Sequence, residues 1–157
     1  MKSEVEAIIQ RIERVLDGEP WYGKATLTIL DEVDSSKGGL HRGGSSHSIL
    51  DILYHMNTWA EFTLKRIQQD KSYDLKQAEE MDWRKIDPKI HTWKKGVTAY
   101  KNFHKEIIAE LQKKDDSFLV EMVDFRKYNF RFLINGLIDH NIYHAGQIAL
   151  LNKLPDV

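Results

Sequence analysis

The chain has 157 residues, 41% hydrophobic and 30% charged, with a formal net charge of −1; this suits a single domain over residues 1–157 with a core of its own and gives no electrostatic reason to expect nucleic acid or an anionic membrane as partner. Cysteine is absent, which excludes disulfides, thiolate metal ligands and a protein thiol nucleophile, and fits a reducing compartment. The opening MKSEVEAIIQRIERVL has charges every few positions and no apolar core of signal-peptide kind, and no stretch approaches the roughly 18 uninterrupted apolar residues of a membrane span, so the expected location is cytoplasmic.

Taken in chain order, Ser3 and Glu6 stand at capping-box spacing ahead of Val5, Ile8, Ile12 and Val15, which predicts a first amphipathic helix stopped by Gly18 and Pro20. Lys24 to Val33 has the make-up of a short extra helix, and Gly38, Gly39, Gly43 and Gly44 mark a flexible turn. A second long helix begins among Ser45, Ser46 and Ser48, carries Ile52, His55, Trp59 and Phe62 on its inner stripe, and ends near Asp70. Ser48 with Asp51 again has the capping-box spacing. After a long connection in which Trp83 pins the chain to the body, a third helix is expected from about Pro88, with the stripe Ile90, Trp93, Val97, Tyr100, His104, Ile107 and Leu111. Residues 118–128 alternate in a β-like way, although one isolated short strand is marginal. Asn129 is the expected N-cap of a fourth helix, with Tyr128 and Leu133 as a hydrophobic staple and Leu133, Leu137, His140, His144, Gln147 and Leu151 on one face. The expected fold is an all-α four-helix bundle with long connecting loops.

His140 and His144 lie one helical turn apart, so their imidazoles can aim at one point and share a metal ion. Each is equally a core histidine that hydrogen-bonds a neighbour, and spacing alone leaves both roles open. A third ligand has to come from another helix: His55 is the best placed, and His104, also on a stripe, is its rival. Asp51, one turn before His55, suits either a hydrogen bond to the imidazole nitrogen that does not bind metal or a first-turn carboxylate at the helix dipole. Trp59 and Phe62 are candidate pocket walls or plain core, and Gln147 is a candidate for orienting a bound ligand. His41 and His91 belong at the surface; His47 lies too far from His55 to share a metal and helps to begin the helix. Position 141 is Asn, so the general base of the His-Glu-x-x-His zinc peptidases is missing and no catalytic residue can be named.

The segments HSILDILYHMNTW at 47–59 and LINGLIDHNIYHAGQIALL at 133–151 resemble the DinB-like superfamily, also called the DinB/YfiT-like metalloenzymes. GEPWYGKATLTIL, after the first helix, is similar to the Trp-x-Gly segment of one branch. The resemblance implies an up-down-down-up four-helix bundle, often a homodimer. It also implies a divalent-metal site of three histidines that fall on His55, His140 and His144, favouring His55 over His104. Characterised relatives include S-transferases and isomerases that use low-molecular-weight thiols such as mycothiol or bacillithiol. The leading expectation is therefore a Zn²⁺- or Ni²⁺-dependent transferase or hydrolase acting on a small-molecule substrate, with a low-molecular-weight thiol as a candidate co-substrate. The alternative is a non-catalytic bundle that binds a partner or small ligand and uses its metal structurally. DNA binding is not expected, because Lys101, Lys105, Lys113 and Lys114 are interleaved with acids as on a solvated helix face.

Overall fold

In the computed structural model, which describes residues 3–155, the regular segments are helical: α1 (Glu4–Asp17), α2 (Thr26–Asp31), α3 (Ile49–Ile67), α4 (Leu75–Met81), α5 (Trp93–Leu111) and α6 (Phe130–Lys153), with short 3₁₀ turns at Ser35–Lys37 and Asp116–Val120. The ends of the expected 1–157 domain lie outside the described residues. Local chemistry sets the helix starts. Ser3 and Glu6 form the reciprocal cap of α1, with bonds of 3.2 and 3.1 Å. Ser48, of the three serines, caps α3: its hydroxyl accepts from the Asp51 N–H at 3.1 Å and the Asp51 carboxylate accepts from the Ser48 N–H at 2.7 Å. Asn129 caps α6. Buried apolar residues from α1, α3, α5 and α6 join in one core cluster.

The long connections depart from expectation. The third long helix starts at Trp93, capped by Thr92, and not near Pro88. Asp87 explains the shift, because its carbonyl accepts from the N–H groups of Ile90 and His91 at 3.0 and 2.7 Å and its carboxylate accepts from Lys89 N–H at 2.9 Å. Those bonds close a separate turn, and Ile90 is left exposed. An additional helix, α4, capped by Asp74 and Gln77, occupies the connection before it. Residues 118–128 form no strand, only the 3₁₀ turn and an isolated antiparallel bridge between Met122 and Asn129.

Helix directions follow from which residues meet. Glu4 pairs with Arg131, and Arg11 pairs with Asn135 and Asp139, so α1 and α6 run parallel. The Tyr54 hydroxyl reaches the Thr92 carbonyl and the Asn57 amide reaches that of Gly96, so α3 and α5 also run parallel. His55 meets His140 and His144, whereas Thr63 shares a slot with Leu133, so α3 and α6 are antiparallel. The bundle is thus up-down-down-up. Two parallel neighbours in succession oblige the chain between Ile67 and Trp93 to travel back along the bundle. Arg66 anchors the outward end of that return by donating to the carbonyls of Asp70 and Tyr73. Thr58 fixes the far end, donating to the Met81 carbonyl at 3.3 Å and accepting from Arg84.

Candidate metal centre

The antiparallel contact of α3 with α6 brings His55 against His140 and His144. The His55 Nε2 lies 2.9 Å from His140 Nε2 and 3.0 Å from His144 Nε2, and one ligand atom from each ring lies within 4.8 Å of the others. His55 and His144 are buried and His140 is half-buried. The opposite nitrogens settle the tautomers. His55 Nδ1–H donates to the Asp82 carboxylate, and His144 Nδ1–H donates to Gln147 Oε1 at 2.6 Å. In the neutral rings both Nε2 atoms therefore carry lone pairs, and these converge with the ring of His140.

Lone pairs facing one another at 3 Å repel unless a cation lies between them, and protons fill that role poorly here. Burial, reinforced by any charge on His144 and His55, pushes the His140 pKa down to about 3. Burial also lowers those of His55 and His144, with Asp82 opposing the shift at His55 and Gln147 at His144. His55 and His144 present Nε2 lone pairs fixed by acceptors behind them. His140, whose Nδ1 has no partner, can carry its proton there and present Nε2 as well, so the three form a donor set that a divalent metal ion fits. Zn–N bonds of about 2.0–2.1 Å place tetrahedral ligand nitrogens about 3.3 Å apart, close to the two spacings observed. No fourth His, Cys, Asp or Glu joins the group among the described residues.

Other residues singled out in the sequence fall as follows. His104 is buried away from the cluster between the Tyr100 carbonyl, to which its Nδ1–H donates, and the Asn141 side chain, which donates to its Nε2. Asp51 is engaged in the α3 cap; the carboxylate on His55 is that of Asp82, from the segment just after α4. Gln147 is on His144. Trp59 lines a slot beside His140, whereas Phe62 is buried, with Arg66 over its ring. His47 lies just before the Ser48 cap and stacks on Trp83.

Trp83 does more than pin its loop. Its ring centroid is 3.8 Å from that of His47 and 3.9 Å from that of His55, with interplanar angles of 21° and 12°. Two nearly parallel rings that close to one centroid cannot share a face, so the indole is sandwiched between the imidazoles. Its backbone φ is 44°, a left-handed conformation that costs a bulky residue of order 1–3 kcal/mol and persists only when its surroundings enforce it. The signal for Asp82 and Trp83 was their position in a forced return segment, not periodicity.

Two openings flank the cluster. A cleft of about 460 Å³ is lined by His47, His55, Trp83, Tyr143, His144 and Gln147, with Ile52, Leu150 and Leu151 as apolar surface. A narrower slot of about 170 Å³ meets the other side at His140. Arg42, buried in the glycine-rich turn, donates to the carbonyls of Leu151 and Asn152 at 3.3 and 3.4 Å and so ties that turn to the end of α6 beside the cleft.

The family model of the DinB superfamily matches residues 23–148, a span that holds all three histidines, Asp82 and Trp83. No curated protein matches the chain.

Proposed function

The chain belongs to the DinB superfamily, and from that premise we propose that it is a metal-dependent enzyme whose His55, His140 and His144 hold a divalent ion, zinc or nickel, for transfer or hydrolysis on a small molecule. The observation that carries this reading is three Nε2 atoms converging at the edge of a 460 Å³ cleft with no fourth side-chain ligand among the described residues. Structural zinc sites are usually closed by four protein ligands, whereas catalytic ones keep a position open. When bound, the ion supplies a Lewis acid that lowers the pKa of a thiol or a water.

The chain's own residues supply the rest. Asp82 and Gln147 hold two imidazoles in the tautomer that offers Nε2. Trp83 fixes the plane of His55. Tyr143, Ile52, Leu150 and Leu151 give a substrate apolar surface next to the ligand atoms. With no cysteine in the chain, sulfur chemistry here takes its nucleophile from a low-molecular-weight thiol, and S-transfer is the favoured form of the reaction. A cytoplasmic site and a homodimeric assembly belong to the same reading. No described helix is long and apolar enough to cross a membrane.

The test is metal analysis of untagged protein. Stoichiometric metal in the wild type and in His104→Gln, lost in His140→Ala, supports the reading. Folded wild-type protein that takes up neither zinc nor nickel overturns it. Cobalt-loaded protein then tests the thiol: a thiolate-to-metal charge-transfer band on adding a simple thiol favours S-transfer over hydrolysis.

A further inference from the structure

Gly136 sits inside α6, in its second turn, and a Cβ built on it meets nothing within 4 Å. Glycine inside a helix is unfavourable relative to alanine, and no neighbour here demands its small size. What its missing side chain does is leave open the slot of about 170 Å³ lined by Trp59, Tyr128, Phe132, Leu133, Leu137 and His140. Thr63, also in the wall, donates its hydroxyl to the Trp59 carbonyl at 2.9 Å. That leaves the Trp59 indole N–H, the Tyr128 hydroxyl and the His140 ring as the polar groups of an otherwise apolar, aromatic surface.

We propose that this slot is a binding subsite for one aromatic ring of the molecule acted on at the three-histidine centre. Its size supports a single ring, since a cavity of about 150 Å³ lined by apolar side chains binds benzene. Its walls support an aromatic over an aliphatic occupant, because Trp59, Tyr128 and Phe132 offer edges and faces for offset and T-shaped contacts. Its position supports a substrate group over an unrelated ligand, because His140 both lines the slot and places its Nε2 2.9 Å from that of His55. The two openings then divide the work: the slot seats the ring and the wider cleft admits the second reactant.

The subsite rests on the metal-dependent reading for its purpose but is measured apart from it. Fluorobenzene is titrated into zinc-loaded and zinc-free protein, following its ¹⁹F signal and the Trp59 indole N–H resonance. Saturable binding that shifts Trp59 is expected in the wild type. Gly136→Leu, which fills the slot from an open helix position, should weaken it at least tenfold while melting no earlier than the wild type and keeping stoichiometric zinc. Gly136→Ala should be affected less. Equal affinity in the wild type and Gly136→Leu, or no saturable shift at Trp59, overturns the subsite even if zinc binds. Protein that binds fluorobenzene as expected but never takes up a metal overturns the enzymatic reading and leaves an aromatic-binding slot.

Discussion

The Asp82 carboxylate accepts the Nδ1 proton of His55 from a position 27 residues further along the chain. It fixes which nitrogen of His55 faces His140 and His144, and it places a negative charge behind the ring. Removing such a partner typically weakens metal binding by about 10–100-fold. Asp82→Asn should therefore lose metal to a chelator at a correspondingly lower concentration, with little change in thermal stability. Unchanged affinity in the variant would separate Asp82 from metal retention.

Two helix glycines predict opposite outcomes for the same substitution. At Gly96 an added Cβ falls 2.8 Å from Leu53 Cδ2 and 3.1 Å from Tyr54 Cε2, where α5 crosses α3. Leu53 is fully buried and cannot yield, so Gly96→Ala should destabilise by about 1–3 kcal/mol despite alanine's helix preference. At Gly136 the space is open, and Gly136→Ala should stabilise by up to about 1 kcal/mol. Denaturant titration of the two variants reads both signs.

Ser48→Ala removes the hydroxyl that accepts the Asp51 N–H at 3.1 Å. Loss of such a cap costs about 1 kcal/mol, within a range of about 0.5–2. Ser48→Asp should not restore it, because the Ser48 hydroxyl also donates to the Asp51 carboxylate at 2.8 Å and a second carboxylate there would repel it, and a thermal melt of the three proteins checks the order.

Acid should weaken the fold through His104. Burial holds this imidazole neutral down to about 4, whereas an unfolded chain protonates it at ~6.5. As pH falls, the unfolded state takes up the proton first, so the contribution to stability is complete above about pH 6.5 and is lost between there and about pH 4. The whole effect is on the order of 3 kcal/mol. His104→Gln should be less stable at pH 7.5 but show a shallower decline between pH 6.5 and 4.5. An identical decline in both proteins would mean that other groups, the buried histidines of the cluster and the carboxylates, carry the acid response.

What the sequence made legible were features with a local rule behind them. Capping boxes at Ser3 and Ser48, the alternating three- and four-residue steps of α1, and two histidines one turn apart follow from helical geometry. His55 was distinguishable from His104 only by resemblance, since both sit on inner stripes and nothing periodic says which stripe faces α6. Asp82, and the stacking of Trp83 on His55, escaped because they come from a connection, where no period relates a residue to its neighbour in space. Asp51 illustrates the converse: a carboxylate one turn from His55 has the right spacing, but it is already engaged in starting the helix. Pro88 misled because Asp87 draws the next backbone N–H groups into a turn of its own.

The return between α3 and α5 has a further consequence. A helix of 19 residues is about 28 Å long, so a chain that must restart beside its own beginning is obliged to cross that distance outside the bundle. The traverse contributes little to the hydrophobic cluster, Ala78 being its buried apolar residue, yet it delivers the carboxylate and the indole that hold His55. Holding the bundle together and tuning its centre are thus assigned to different stretches of polypeptide. Substitutions in residues 68–92 should therefore change what the histidines do more than they disturb the scaffold that presents them.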